Sequence, residues 1–384
     1  MSVFYQLVQD TYISMTVLLI VALGGLLAER SGVTNIALEG IMVMGAFLGI
    51  WSVKGLEVFP FSPLTKFIIF FVSFIVALSA LYSIYLFLRK FLRVKLKKNI
   101  LMIVLIVSSL VLGFILFSSL SSQVMNKQLI LIMGIIIGGV IGGLYAMLHA
   151  YAAIHMKSDQ VISATALNLF APAFAVFTAR IIQDGGGQQI GFTSTFRIQK
   201  IPFLGDIPVI GELLFTRVYI SFYIGLALLG ILWVVIYKTK FGLRLRACGE
   251  NPHAADSLGI NIYRLRFIAV TLSGFFAGMG GVIFVATTST EFNVTVAGFG
   301  FLAIAVLIFG NWRPSRIVMA ALFFGFMRTI ASSYSVIPFL SRFNLPTEFY
   351  NMIPYLATLV ILAFFSKNSR APKALGQIYD QGKR

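Results

Sequence analysis

A chain of 384 residues that is 59% hydrophobic and only 11% charged has too little polar surface for a soluble domain, so the composition gives an integral membrane protein. Its formal net charge of +17 is then the excess of Lys and Arg in cytoplasmic loops, and no nucleic-acid partner is expected. The single cysteine, Cys248, excludes an internal disulfide and any cysteine-based metal cluster.

The first residues, MSVFYQLVQD, have no basic region, and no small-residue cleavage site follows, so no removable signal peptide is expected. Apolar runs long enough to cross ~30 Å of hydrocarbon follow near 11–28, 37–53, 67–88, 100–119, 129–150 and 161–179. Further runs lie near 218–237, 265–287, 297–310, 315–334 and 350–366, with 297–310 short for a perpendicular span. The fold class is therefore an all-α integral membrane protein, one transmembrane domain over 1–384 with a bundle of about eleven transmembrane helices. Gly138, Gly139, Gly142 and Gly143, and Gly278, Gly280 and Gly281, read as close helix–helix contacts.

Basic residues set the direction. Arg89, Lys90, Arg93, Lys95, Lys97 and Lys98 fall within one short loop. At roughly 2.5–3.5 kcal/mol per cation at mid-membrane, that loop belongs in the cytoplasm. Threading from there puts 238–264, the turn at Arg313–Arg316 and the tail from Lys367 on the same side. The N-terminus and the loop 180–217 fall outside, and the C-terminus is cytoplasmic.

The polar passage ACGENPHAADSLGI (247–260) interrupts this pattern. Asn251 suits an N-cap, Pro252 the first helical position and Gly259 a helix stop, which predicts about two turns from His253 to Leu258. Ala254 and Ala255 would let another surface approach closely. On the residues alone, a docking knob and an ordinary capped connector stand level.

Enzymatic readings find less support. Cys248 and His253 lie across an Asn-Pro break, His149 and His155 lack metal-ligand spacing, and no G-x-x-x-x-G-K-[ST] loop occurs. LSGF (272–275) lies inside an apolar span and reads as helix packing. An ion-coupled carrier needs ionisable groups within the membrane, and these are scarce. Glu39, at the cytoplasmic mouth of its span, and Arg328 are two; a boundary charge and a snorkelling side chain remain open for them. Asn168 is the foremost candidate for a solute path, since an amide inside an apolar run is costly without a partner or a wet cavity. Ser163, Thr165 and Thr271 follow it, and each of these is equally able to bond a neighbouring helix.

Several stretches carry a resemblance. ALGGLLAERSGVTNIALEGIMVMGAF (22–47), LHAYAAIHMKSDQVISATALNLFA (148–171), IPFLGDIPVIGELLF (201–215) and TKFGLRLRACGENPHAADSLGINI (239–262) are four. GFGFLAIAVLIFGNWRP (298–314) and IPYLATLVILAFFSKNSRAPKALGQIY (353–379) complete them. In this order the chain resembles a permease subunit of bacterial ABC importers of the ribose/nucleoside branch, nearest to nucleoside permeases that work with a basic-membrane-protein-type lipoprotein.

The resemblance implies a type II ABC-importer-like permease fold in the bacterial cell membrane. It implies no catalysis or cofactor in this chain, with ATP and Mg on a separate ATP-binding subunit. It implies a second homologous permease, hence a heterodimer, an extracytoplasmic substrate-binding lipoprotein, and nucleosides as substrate. A simple-sugar permease is the alternative, and an ion-coupled secondary transporter a further one. The docking reading of the polar passage gains from it: Gly249, Glu250, Asn251, Pro252, Ala254, Ala255, Gly259 and Ile260 become candidate ATPase-coupling residues. The loop 180–217 becomes a candidate dock for the lipoprotein. Residues 58–128 depart from the family pattern and read as an inserted helical hairpin around the basic loop, whose lipid contacts stay open.

Overall fold

The computed structural model describes residues 3–92, 98–121, 124–183, 187–337, 340, 342–343, 345–365 and 370–381. Residues 93–97 of the basic loop, 184–186 of DGGGQQ, and Lys367 lie outside the described residues. The chain runs through α1 (Val3–Arg30), α2 (Leu38–Glu57), α3 (Pro63–Leu92), α4 (Lys98–Ser121), α5 (Lys127–Ala150) and α6 (Gln160–Ile182). It continues through α7 (Ile210–Leu214), α8 (Ile220–Lys238), α9 (Lys240–Glu250), α10 (Pro252–Ser257) and α11 (Ile262–Thr288). The last helices are α12 (Phe299–Phe309), α13 (Pro314–Ser332), α14 (Thr347–Asn351) and α15 (Ile353–Phe365).

Every apolar run forms a helix. Among the described residues 8 helices are long and apolar enough to cross a membrane: α1, α2, α3, α5, α6, α8, α11 and α13. This is a multi-pass membrane bundle. Of the remaining predicted spans, α12 has 11 residues and rises only ~16 Å, about half of the hydrocarbon layer.

The core is built on α1 and α11. From Val17 to Ala28 the side chains of α1 are closed off all round by α8, α11, α12 and α13. On its other flank α11 lies against α2 and α5. Glycine allows this: a Cβ on Gly278 would overlap the Gly138 carbonyl, and one on Gly45 would overlap Gly278 itself. Backbones this close gain dispersion that larger side chains would forbid, which bears out the predicted glycine contacts. The pair α3 and α4 sits at the edge, packed chiefly on itself.

The described residues of the loop 180–217 form strands and short helices. Strand β1 (Ile190–Gly191) pairs antiparallel with β4 (Glu291–Phe292), and β2 (Arg197–Lys200) with β3 (Thr216–Tyr219). The carboxyl group of Glu57, at the end of α2, accepts from the N–H groups of Thr193 and Ser194, both at 2.8 Å. Gln9 of α1 donates to the Glu212 and Thr216 carbonyls at 3.3 and 3.2 Å. Beyond these anchors the tip carries Phe203, 89% exposed, with Val209 and Ile210 also exposed. Phe203 and Val209 both hold φ near +65°, a strained region for side-chain-bearing residues.

Candidate functional site

Two constructions carry chemistry. The first is the knob formed by α9 and α10. Asn251 caps α10, its Oδ1 accepting from the Ala254 N–H at 3.0 Å, and Pro252 occupies the first turn. The helix stops where Gly259 takes φ +78°. There the Ile260 N–H donates to the Ala255 carbonyl at 3.2 Å and the Gly259 N–H to the Asp256 carbonyl at 2.8 Å, a Schellman closure. The predicted start and stop are borne out, with the helix ending one residue before Leu258.

Six residues cannot hold a helix alone in water, so the knob depends on what lies beneath it. Gly249 is pressed against the end of α1, where a Cβ would overlap the Arg30 carbonyl. Its own carbonyl accepts from the Ala374 N–H at 2.9 Å. Cys248 is buried, its thiol donating to the Ser31 carbonyl at 3.3 Å, and burial pushes the thiol pKa up. Arg266, also buried, donates from Nε to that carbonyl at 3.1 Å and from Nη1 to the Gln377 carbonyl at 3.0 Å. Tyr379 lies among the rings of His253 at 5.1 Å and Tyr263 at 5.4 Å. Lys157 pairs with Asp380 at 2.9 Å, and that hydrogen bond raises the lysine pKa. The tail 370–381 is thus a strap across the base of the knob.

The faces of the knob divide the eight coupling candidates. Gly249, Pro252 and Ala255 are buried and Ile260 is half-buried, whereas Glu250, Asn251, Ala254 and Gly259 are exposed. Ala255, at 2% exposure, supports the body and offers nothing to a partner. Leu258, 82% exposed at the summit, was not among the candidates.

The second construction is a half-helix junction. Residues 31–37 are not a surface turn but thread inward: Asn35 Nδ2 donates to Ser273 Oγ at 3.0 Å, about midway along α11. Hence α2 starts deep in the bundle. Glu39 lies there and not at the mouth of the span, because the chain before it has already climbed beside α11. Its carboxyl oxygens accept from the N–H groups of Gly298 at 2.9 Å and Gly300 at 2.7 Å, at the start of α12. An acidic group at a helix N-terminus meets the exposed donors and the positive end of the dipole. Arg328 of α13 stands 5.5 Å over the Phe299 ring of the same helix start. Asn168 joins from α6, accepting from the Gly40 N–H at 2.7 Å and donating to the Ile36 carbonyl at 3.0 Å.

Three of the six path candidates therefore converge on one place. The others do not. Ser163 Oγ lies 2.9 Å from His149 Nδ1, while His149 Nε2 lies 3.0 Å from the Thr34 carbonyl. A carbonyl only accepts, so Nε2 carries a proton, and the Ser163 hydroxyl lies between Nδ1 and the Gln160 carbonyl at 3.3 Å. Thr165 donates back to the Val161 carbonyl of its own helix at 2.8 Å. The Thr271 hydroxyl is buried without a hydrogen-bond partner among the described residues.

A half-span helix start near the middle of a multi-pass bundle is how transporters line a path. Comparisons with known proteins identify the family. A family model described as branched-chain amino acid transport system / permease component matches residues 110–362, well over half of the chain. The chain belongs to this permease family. The permease is 33% identical over 381 residues to the guanosine ABC transporter permease protein NupQ of Bacillus subtilis (strain 168), covering 98% of this chain and 97% of that one. It is 40% identical over 237 residues to the nucleoside ABC transporter permease protein NupC of Lactococcus lactis subsp. cremoris (strain MG1363), 62% of this chain and 74% of that one. It is 27% identical over 260 residues to the putative glucose ABC transporter permease protein TsgC13 of Haloferax volcanii, 62% of this chain and 77% of that one. No solved structure matches the permease.

Proposed function

We propose that this permease forms the translocation path of an ATP-driven importer for nucleosides in a bacterial cell membrane. The observation that carries the substrate is the pair of relatives named as guanosine and nucleoside permeases, one of them aligned along almost the whole chain. The path runs by the α12 start, where Glu39, Asn168 and Arg328 meet. Charge is otherwise sparse along the membrane-spanning helices, which suits a neutral polar solute.

ATP and Mg are held by a separate ATP-binding subunit, which grips the exposed face of α10 through Ala254, Leu258 and Gly259. Its movements pass through Gly249 and Arg266 into α1 and α11, and the bundle alternates between outward and inward openings. The knob, the Arg313 turn and the tail occupy one end of the bundle, and this end faces the cytoplasm. A second permease completes the path as a heterodimer, a reading supported by paired permeases in the relatives' organisms, such as NupQ and NupP. The loop 180–217, with its strained apolar tip, receives the binding lipoprotein. The chain itself carries out no hydrolysis.

The identity to a putative glucose permease keeps a sugar as the second reading. A binding panel on the cognate lipoprotein separates them: nucleosides are expected to bind, and binding of sugars alone overturns the substrate. In vesicles the assembled importer is expected to stop when ATP is removed and to ignore ionophores. Uptake that ionophores abolish while ATP remains would favour an ion-coupled carrier.

A further inference from the structure

The edge hairpin leaves a gap with a definite shape. Helices α2 and α3 touch closely at one end, where a Cβ on Gly55 would come 2.9 Å from Thr65 Oγ1. Further along they part, and with α5 they enclose a cavity of about 250 Å3. Trp51 and Ser52 of α2, Phe67 and Phe71 of α3, and Ile137 and Val140 of α5 are among its walls. Along α3 the walls run from Leu64 to Ile75, ~16 Å of helix rise and so about half of the hydrocarbon layer.

The occupant can be narrowed by elimination. Water finds little to hold it: Ser52 Oγ already donates to the Leu48 carbonyl at 2.7 Å, and apart from Ser52 and the indole of Trp51 the side chains of the wall are hydrocarbon. A helix from another chain is too large, since ~16 Å of helix at ~10 Å diameter displaces on the order of 1,200 Å3, more than the 740 Å3 free of atoms between the walls. A single acyl chain, slender and apolar, suits the length and the lining. The closed end adds a charge preference. Lys54 and Lys66 flank the Gly55–Thr65 contact, both are exposed, and neither is in an ion pair among the described residues. Trp51 and the exposed Phe59 lie at the same end, where aromatic residues mark the membrane–water interface.

We propose that this groove is a binding site for one anionic phospholipid, its acyl chain lying between α3 and α5 and its phosphate held by Lys54 and Lys66. The lipid fills the space between the edge hairpin and the body and fixes one to the other. The site rests on the membrane-spanning architecture and is independent of what the permease carries.

Native mass spectrometry of the full-length chain, released from nanodiscs of equal phosphatidylglycerol and phosphatidylcholine, tests this. One retained phospholipid per chain is expected, with phosphatidylglycerol favoured on the order of ten-fold or more, as about 1 kcal/mol per lysine gives. Lys54→Gln with Lys66→Gln should bring that ratio close to one while a lipid is still retained. Val140→Trp, which fills the groove, should remove the lipid. Equal retention of the two phospholipids by the unaltered chain, or undiminished retention in a well-folded Val140→Trp chain, overturns the proposal. So does release of the unaltered chain bare, or with a second protein in place of the lipid.

Discussion

Ala254 and Ala255 are adjacent and chemically identical, yet the knob gives them opposite positions. Ala255 lies beneath α10 and Ala254 on its outer surface. Ala255→Arg buries an unpaired charge and is expected to cost about 3 kcal/mol or more, seen as a large fall in thermal midpoint and poor recovery. Ala254→Arg should leave the midpoint within a degree or two and abolish ATP-driven uptake by blocking the docking face. Normal uptake by that variant would remove α10 from the coupling path. Cys248 reports on the same place. Its raised pKa means the neutral thiol is the form the fold favours, so that contribution to stability is intact below the ordinary thiol range. It is lost as pH climbs through the raised value. At neutral pH a maleimide is therefore expected to label it far more slowly than an exposed thiol. The need for a cap at Asn251 and a stop at Gly259 was legible in the sequence, because both depend on neighbours within a few residues. The inward turn of Ala255 was not, because it depends on what α10 rests upon.

At the scale of elements, α12 is held by a partner far away in the chain. At its start the Phe299 N–H finds the Val296 carbonyl at 3.0 Å, and Glu39 supplies an oxygen each to the N–H groups of Gly298 and Gly300. Glu39→Ala should lower stability by about 1–3 kcal/mol, and Glu39→Gln by less, since the amide keeps one acceptor. A thermal midpoint unchanged by Glu39→Ala would mean that α12 is held by packing alone. The sequence marked Glu39 as an ionisable group near a span and misjudged its depth. Nothing local announces that 31–37 enters the bundle, where Asn35 finds Ser273 more than two hundred residues later. Asn168 was singled out for being a polar group in an apolar run, and its two hydrogen bonds are the reason it is tolerated there. Arg266 and Tyr379 were passed over. An arginine entering the apolar start of α11 was the available signal.

Across the whole molecule, the knob, the end of α1, the start of α11 and the tail form one block. The tail contributes through Ala374, Gln377, Tyr379 and Asp380. Removing residues 370–384 should leave the membrane bundle folded, since its core lies in α1, α2, α5 and α11, yet loosen α9 and α10. Faster maleimide labelling of Cys248 and weaker ATP-driven uptake are the expected readouts. Labelling as slow as in the full chain would show that the strap does not hold the knob.

The membrane setting, the positions of the apolar helices, the glycine contacts and the bounds of the capped helix are legible along the chain. These follow from composition and from patterns within a turn or two, which act wherever the segment ends up. The depth of Glu39, the free face of α10 and the strapping of the knob by the tail emerge only when the chain is folded. Each of those is set by contacts between residues a hundred or more positions apart, and a local pattern holds no record of its distant partner.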